Sequence, residues 1–145
     1  MDELQISAIA HVIQLAVAPV FMLTAVGTII AALNIRLGRA VDRRRVLEER
    51  VGALPGEEIK RARAELEQIE RRIRTVYFAI LFAVLSGLFV CLLIAGAFVG
   101  AFVAANLSRM IGALFVLAML ALIVSLLLFL REIFIAVTTP RHVPS

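Results

Sequence analysis

Tryptophan is absent from this chain of 145 residues, and cysteine and tyrosine each occur once. A lone Cys91 cannot close an intramolecular disulfide, so no disulfide framework holds the fold. Histidine occurs only at His11 and His142, outside any metal-ligand spacing. No nucleophile–base pair and no glycine-rich phosphate loop stands in the sequence either. The expectation is therefore a protein that is not an enzyme, with no cofactor and no metal. Charge is missing over long distances: Ala8–Ile35, Val76–Ala105 and Ile111–Leu130 contain no Asp, Glu, Lys or Arg. Lys and Arg are also missing from Met1–Gln5, which carries Asp2 and Glu3 and lacks the basic start of a secretory signal.

What fills these gaps is hydrocarbon. The chain is 62% hydrophobic with a mean hydropathy of +1.00, well outside the range of soluble globular proteins. Each charge-free run reaches the roughly 20 residues that a helix needs to cross about 30 Å of lipid. The first run, about 8–35, is longer than that, ~42 Å as a helix. Pro19 interrupts it and frees the carbonyl of Leu15, which leaves two readings open. One is a long kinked span; the other is an interfacial helix Leu4–Val17 followed by a shorter span Val20–Leu37. The same run carries a polar and small face. At 100° per residue, Ser7, His11, Gln14, Ala18, Ala25, Thr28 and Ala32 fall on one side of the helix. Such a stripe faces protein or water rather than lipid. It is either a helix-packing surface or the lining of an aqueous path.

Between the first two runs lies Arg36–Arg74, which holds twelve of the fifteen Lys and Arg residues and eight of the eleven acids. Pro55-Gly56 divides it, and Glu57 and Glu58 open a second helix with the charge its dipole favours. Ile59, Ala62, Leu66, Ile69, Ile73 and Val76 follow an unbroken 3-4 spacing, a narrow coiled-coil seam. The expected fold class is an all-α membrane protein, one membrane domain over 1–145. Its spans lie at about 8–35, 76–105 and 111–130, with a cytoplasmic antiparallel helical hairpin at 36–75. The formal net charge is +4, yet the arm is mixed in sign and the aromatics lie in the apolar runs. The basic excess thus reads as topology and attraction to the lipid bilayer, not as nucleic-acid binding. By the positive-inside rule the arm and the C-terminus are cytoplasmic and the N-terminus is outside.

The second span contains Gly96, Gly100 and Ala104 at intervals of four, a ladder that lets another helix approach closely. Ser86 and Cys91 read as packing residues. The third span is Leu-rich, without a strong polar face, and is the expected lipid-facing helix. Arg131-Glu132 close it, and the tail through Pro140, Arg141, His142 and Pro144 is expected to be poorly ordered.

The segment Gln14-Leu-Ala-Val-Ala-Pro-Val-Phe21, then Gly27, Asn34, Arg36, Arg39 and Asp42-Arg43, resembles the opening signature of a bacterial membrane family, domain of unknown function 2721. Val90-Cys-Leu-Leu-Ile94 and Phe129-Leu-Arg-Glu-Ile133 fit it as well. The resemblance implies a three-span protein of the bacterial inner membrane and brings no activity or site residues. The topology alone is similar to that of ExbB-type energy-transducing subunits.

Three spans in one protomer enclose no channel, so the functional expectation is a homo-oligomer. Its candidate ion-conducting pore is lined from the first span by Gln14, Phe21, Thr24 and Thr28. Arg36, Arg39 and Arg43 form a basic cytoplasmic mouth, and Pro19, Gly96 and Gly100 serve helix packing. The alternative is a non-conducting scaffold or accessory subunit whose coiled-coil arm binds a cytoplasmic protein partner.

Overall fold

The computed structural model describes residues 2–138, and these form three long helices. They are α1 (Glu3–Val51), α2 (Glu57–Val103) and α3 (Ser108–Thr138). All three are long and apolar enough to cross a membrane, and the chain reads as a membrane protein. The tail residues Pro140, Arg141, His142 and Pro144 lie outside the described residues.

α1 passes through Pro19 as one helix of 49 residues, so no separate interfacial helix precedes the span. Proline removes one donor from the ladder, a loss that membrane helices tolerate when neighbouring groups cover the freed carbonyl. Pro19 is itself buried. α1 ends before Pro55-Gly56, where Gly56 takes a φ of +48° that glycine adopts without steric cost. α2 ends differently. Ala104 has a φ of 53°, and the Ala105 amide donates to the Gly100 carbonyl at 3.1 Å, a left-handed helix stop made by a residue other than glycine. This takes Ala104 out of the small-residue ladder expected at Gly96 and Gly100. Asn106 Oδ1 then accepts from the Ser108 amide (3.3 Å) and hydroxyl (2.7 Å), holding the first turn of α3.

Burial along each helix repeats every three and four residues. On α1 the sheltered positions are Val12, Pro19, Val26, Leu33, Ala40 and Leu47, interleaved with Ala16, Leu23, Ile30, Leu37, Arg44 and Val51. On α2 the spacing read from Ile59 to Val76 continues through Ile80, Ala83, Gly87, Val90, Ile94 and Ala97. A second sheltered series on α2 includes Ala79, Ser86, Leu93 and Gly100, and α3 shelters Ala118, Ser125 and Glu132 at the same interval of seven. Sustained 3.5-residue periodicity keeps one face of a helix against its neighbour over many turns.

The chain divides into two compact units. One comprises Met1–Ile30 and Phe82–Val124. Its core includes Val26, Ala83, Val90, Leu93, Ala118 and Ala121. There the fully buried Ser86 hydroxyl donates to the Ala118 carbonyl at 2.8 Å, which joins α2 to α3. The other unit comprises Ala31–Leu81 and Ser125–Ser145. Leu33, Ala62, Ile69, Val76 and Ala79 are buried in it, and Ser125 donates to the Ala79 carbonyl at 2.7 Å. Arg43 pairs with Glu65 at 2.6 Å, tying the two sides of the charged arm together. An apolar 18-residue stretch of α1 is 11% buried, against 17% for α3 and 33% for α2.

Candidate functional site

In the unit of Ala31–Leu81 and Ser125–Ser145, a recess of about 720 Å³ is lined from all three helices. α1 contributes Arg36, Arg39 and Arg43, three side chains at helical spacing on one face. α2 adds Arg72, and α3 adds Glu132. Ala32, Ile35, Val76 and Ala136 supply apolar wall. The three arginines read from the sequence as a basic mouth are thus brought to one place.

Glu132 is the chemically unusual group. It is only 5% exposed, and burying a carboxylate is costly unless it is paired and hydrogen-bonded. Its Oε1 accepts from Arg72 Nε at 2.8 Å. Its Oε2 is buried and has no hydrogen-bond partner among the described residues. The arginines are engaged unequally. Arg43 is paired with Glu65, Arg72 with Glu132, and Arg36 lies over the Phe129 ring at 5.1 Å from its centre. Arg39 makes no ion pair or hydrogen bond among the described residues. Four arginines against Glu132 and Glu65 leave a local excess of two positive charges.

Arg72 and Glu132 were not singled out from the sequence. Arg72 is one of many arm arginines. Glu132 adjoins Arg131 at the end of an apolar run, where a charged pair reads as a solvated cap. The available signal is the interval of seven linking Ala118, Ser125 and Glu132, which places all three on one helix face.

The other predicted residues lie in the unit of Met1–Ile30 and Phe82–Val124. Gln14, Phe21, Thr24 and Thr28 are all exposed on α1, Phe21 to 72%. Thr24 donates to the Val20 carbonyl at 3.3 Å and Thr28 to the Thr24 carbonyl at 3.0 Å. These hydroxyls therefore close on their own helix, while the Gln14 amide makes no hydrogen bond among the described residues. Pro19 lies away from this face and lines an apolar cavity of about 320 Å³ with Val12, Ala16, Leu93 and Phe115. Of the two ladder glycines, Gly100 is the tight one. A Cβ there would sit 3.2 Å from Leu107 Cδ1, whereas at Gly96 the nearest atom is Met110 Cε at 3.8 Å.

A family model described as a protein of unknown function (DUF2721) matches residues 16–142. No curated protein and no solved structure matches the chain.

Proposed function

Because the chain belongs to the DUF2721 family, whose description names no activity, we propose from its own geometry that it is an integral membrane protein whose copies assemble through α1, with the α1 stripe lining an ion pathway. The observation that carries this reading is the outward aspect of that stripe. Gln14, Thr24 and Thr28 are exposed, and the Gln14 amide finds no partner among the described residues. A free amide facing hydrocarbon is unfavourable, and a second copy or a water-filled axis relieves it. In that arrangement Phe21, on the same face, is the hydrophobic constriction. The charged arm stands in the cytoplasm of a bacterial inner-membrane protein, its arginines too many to be translocated readily, and the N-terminus lies outside.

The test combines oligomeric state in mild detergent with ion flux in liposomes. Phe21→Ala is expected to raise flux, and neutralising Arg36 and Arg39 to shift ion preference. A folded oligomer that stays impermeant with Phe21→Ala overturns conduction. A monomer in every mild detergent overturns assembly.

One observation favours the non-conducting alternative. The Thr24 and Thr28 hydroxyls donate to their own helix, which weakens the stripe as a polar lining. On that reading α1 is a helix-packing face, and the hairpin, packed as a coiled coil, presents its charged surface to a cytoplasmic protein. Gln14→Leu would then alter stability and leave flux at zero throughout.

A further inference from the structure

We propose that the recess bounded by Arg36, Arg39, Arg72 and Glu132 binds a phosphate ester whose head carries a hydroxyl or ammonium donor close to the phosphate. The inference does not depend on whether α1 lines a pore.

The excess of two positive charges calls for an anion. Among the described residues Arg39 has no hydrogen-bond or ion-pair partner, and Arg36 has the face of Phe129. A guanidinium fork matches two oxygens of a phosphate, and charge-assisted hydrogen bonds of this kind are among the strong ones. An anion alone does not satisfy the site, however. Glu132 lines the same recess, its buried Oε2 has no hydrogen-bond partner among the described residues, and a bare phosphate against this carboxylate would add repulsion. A ligand that offers the arginines a phosphate and offers Oε2 a donor relieves both demands at once. Since Arg72 Nε holds Oε1, the orientation of the carboxylate is fixed before any ligand arrives.

Two sources supply this chemistry, a phospholipid headgroup and a soluble phosphate ester. The lining favours the lipid. Ile35 is the last apolar residue of the first run and Val76 the first of the second, so the recess lies where the apolar segments give way to charge. Ala32 and Ala136 extend its apolar wall.

The experiment uses the full chain in detergent, with retention of added molecules read by native mass spectrometry. Three probes are compared: dioleoyl phosphatidylglycerol, with headgroup hydroxyls; dioleoyl phosphatidylmethanol, with the same charge and no headgroup donor; and glycerol 3-phosphate. The unaltered protein is expected to hold phosphatidylglycerol about tenfold more tightly than phosphatidylmethanol, the size of one hydrogen bond to a charged group. Glu132→Gln is expected to abolish that preference, because an amide carbonyl held by Arg72 turns an NH2 donor toward the ligand in place of an acceptor. Arg39→Gln, a change at an exposed side chain, is expected to weaken both lipids about tenfold alike. Binding of glycerol 3-phosphate with the same response to Arg39→Gln and Glu132→Gln supports the site and assigns a soluble ligand. Equal retention of the two lipids by the unaltered protein overturns the proposal without recourse to any variant. So does retention unchanged by Arg39→Gln.

Discussion

A hydroxyl in an apolar helix has two places to put its proton, its own backbone four residues back or a neighbour's. Thr24, Thr28, Thr75 and Thr138 donate to carbonyls of their own helix, whereas Ser86 and Ser125 donate across to Ala118 and Ala79. Both serines are fully buried. Ser125→Ala should therefore lower stability by about 0.6 kcal/mol, the average for a hydrogen bond between membrane helices. Ser125→Val should lower it by roughly 1–3 kcal/mol, since one methyl takes the hydroxyl's place and a second enters a filled site. Detergent-titrated unfolding would measure both, and a valine variant as stable as the alanine one would show room at that position. Ala104 invites the opposite change. Its left-handed φ of 53° strains any Cβ, so Ala104→Gly is expected to stabilise the chain by about 1 kcal/mol in the same assay. The sequence marks Ser86 only as a packing residue and passes over Ser125. A polar side chain among leucines reveals its presence, but its partner is a backbone carbonyl on another helix, and no residue code records that.

At the scale of the element, the sheltered positions in the charged part of α2 were legible and their continuation was not. From Ile59 to Val76 the apolar residues stand out against arginine and glutamate, so the 3-4 spacing is visible. Beyond Val76 every position is apolar and the contrast vanishes, although the sheltered positions keep the same interval through Ala97. On α1 the interval is masked in the arm by Arg44, half-buried on the seam face with its Nε 3.4 Å from Glu48. Ile69, 6% exposed in the seam, is the position to test. Ile69→Asp should cost about 3 kcal/mol or more, from the lost apolar contact and a charge with no partner. Limited proteolysis of the arm that matches the parent would contradict this. The glycine ladder separates into two unlike members. Gly96→Ala makes an ordinary contact and should leave stability unchanged or slightly raised, because alanine favours helix. Gly100→Leu places a large side chain against Leu107 and the Ala105 carbonyl and should disrupt the end of α2. Equal melting behaviour of the two variants would remove the distinction.

For the whole molecule, the proposed orientation puts Glu57 inside and Asn106 outside. In a background where the exposed Cys91 is replaced by alanine, a cysteine at Glu57 should resist an impermeant thiol reagent in intact cells. A cysteine at Asn106 should react, and labelling at position 57 would reverse the orientation. The number of candidate spans was readable from length and hydropathy alone. The joining of Arg72 and Glu132 to Arg36, Arg39 and Arg43 was not, because it depends on which face each helix turns inward.

The interval of seven on α1 and α2 also makes chain length in the arm a matter of phase. Deleting one residue between Leu37 and Leu47 would turn everything beyond it by about 100°, exchanging sheltered aliphatic groups for arginines. Deleting seven from each side of the Pro55-Gly56 turn would return every remaining residue to nearly its former angle, within the ~20° by which a straight helix drifts per heptad. Relatives with longer or shorter arms should then differ by multiples of seven on both sides of the turn. A length variant that breaks this rule should carry a compensating change on the opposite helix.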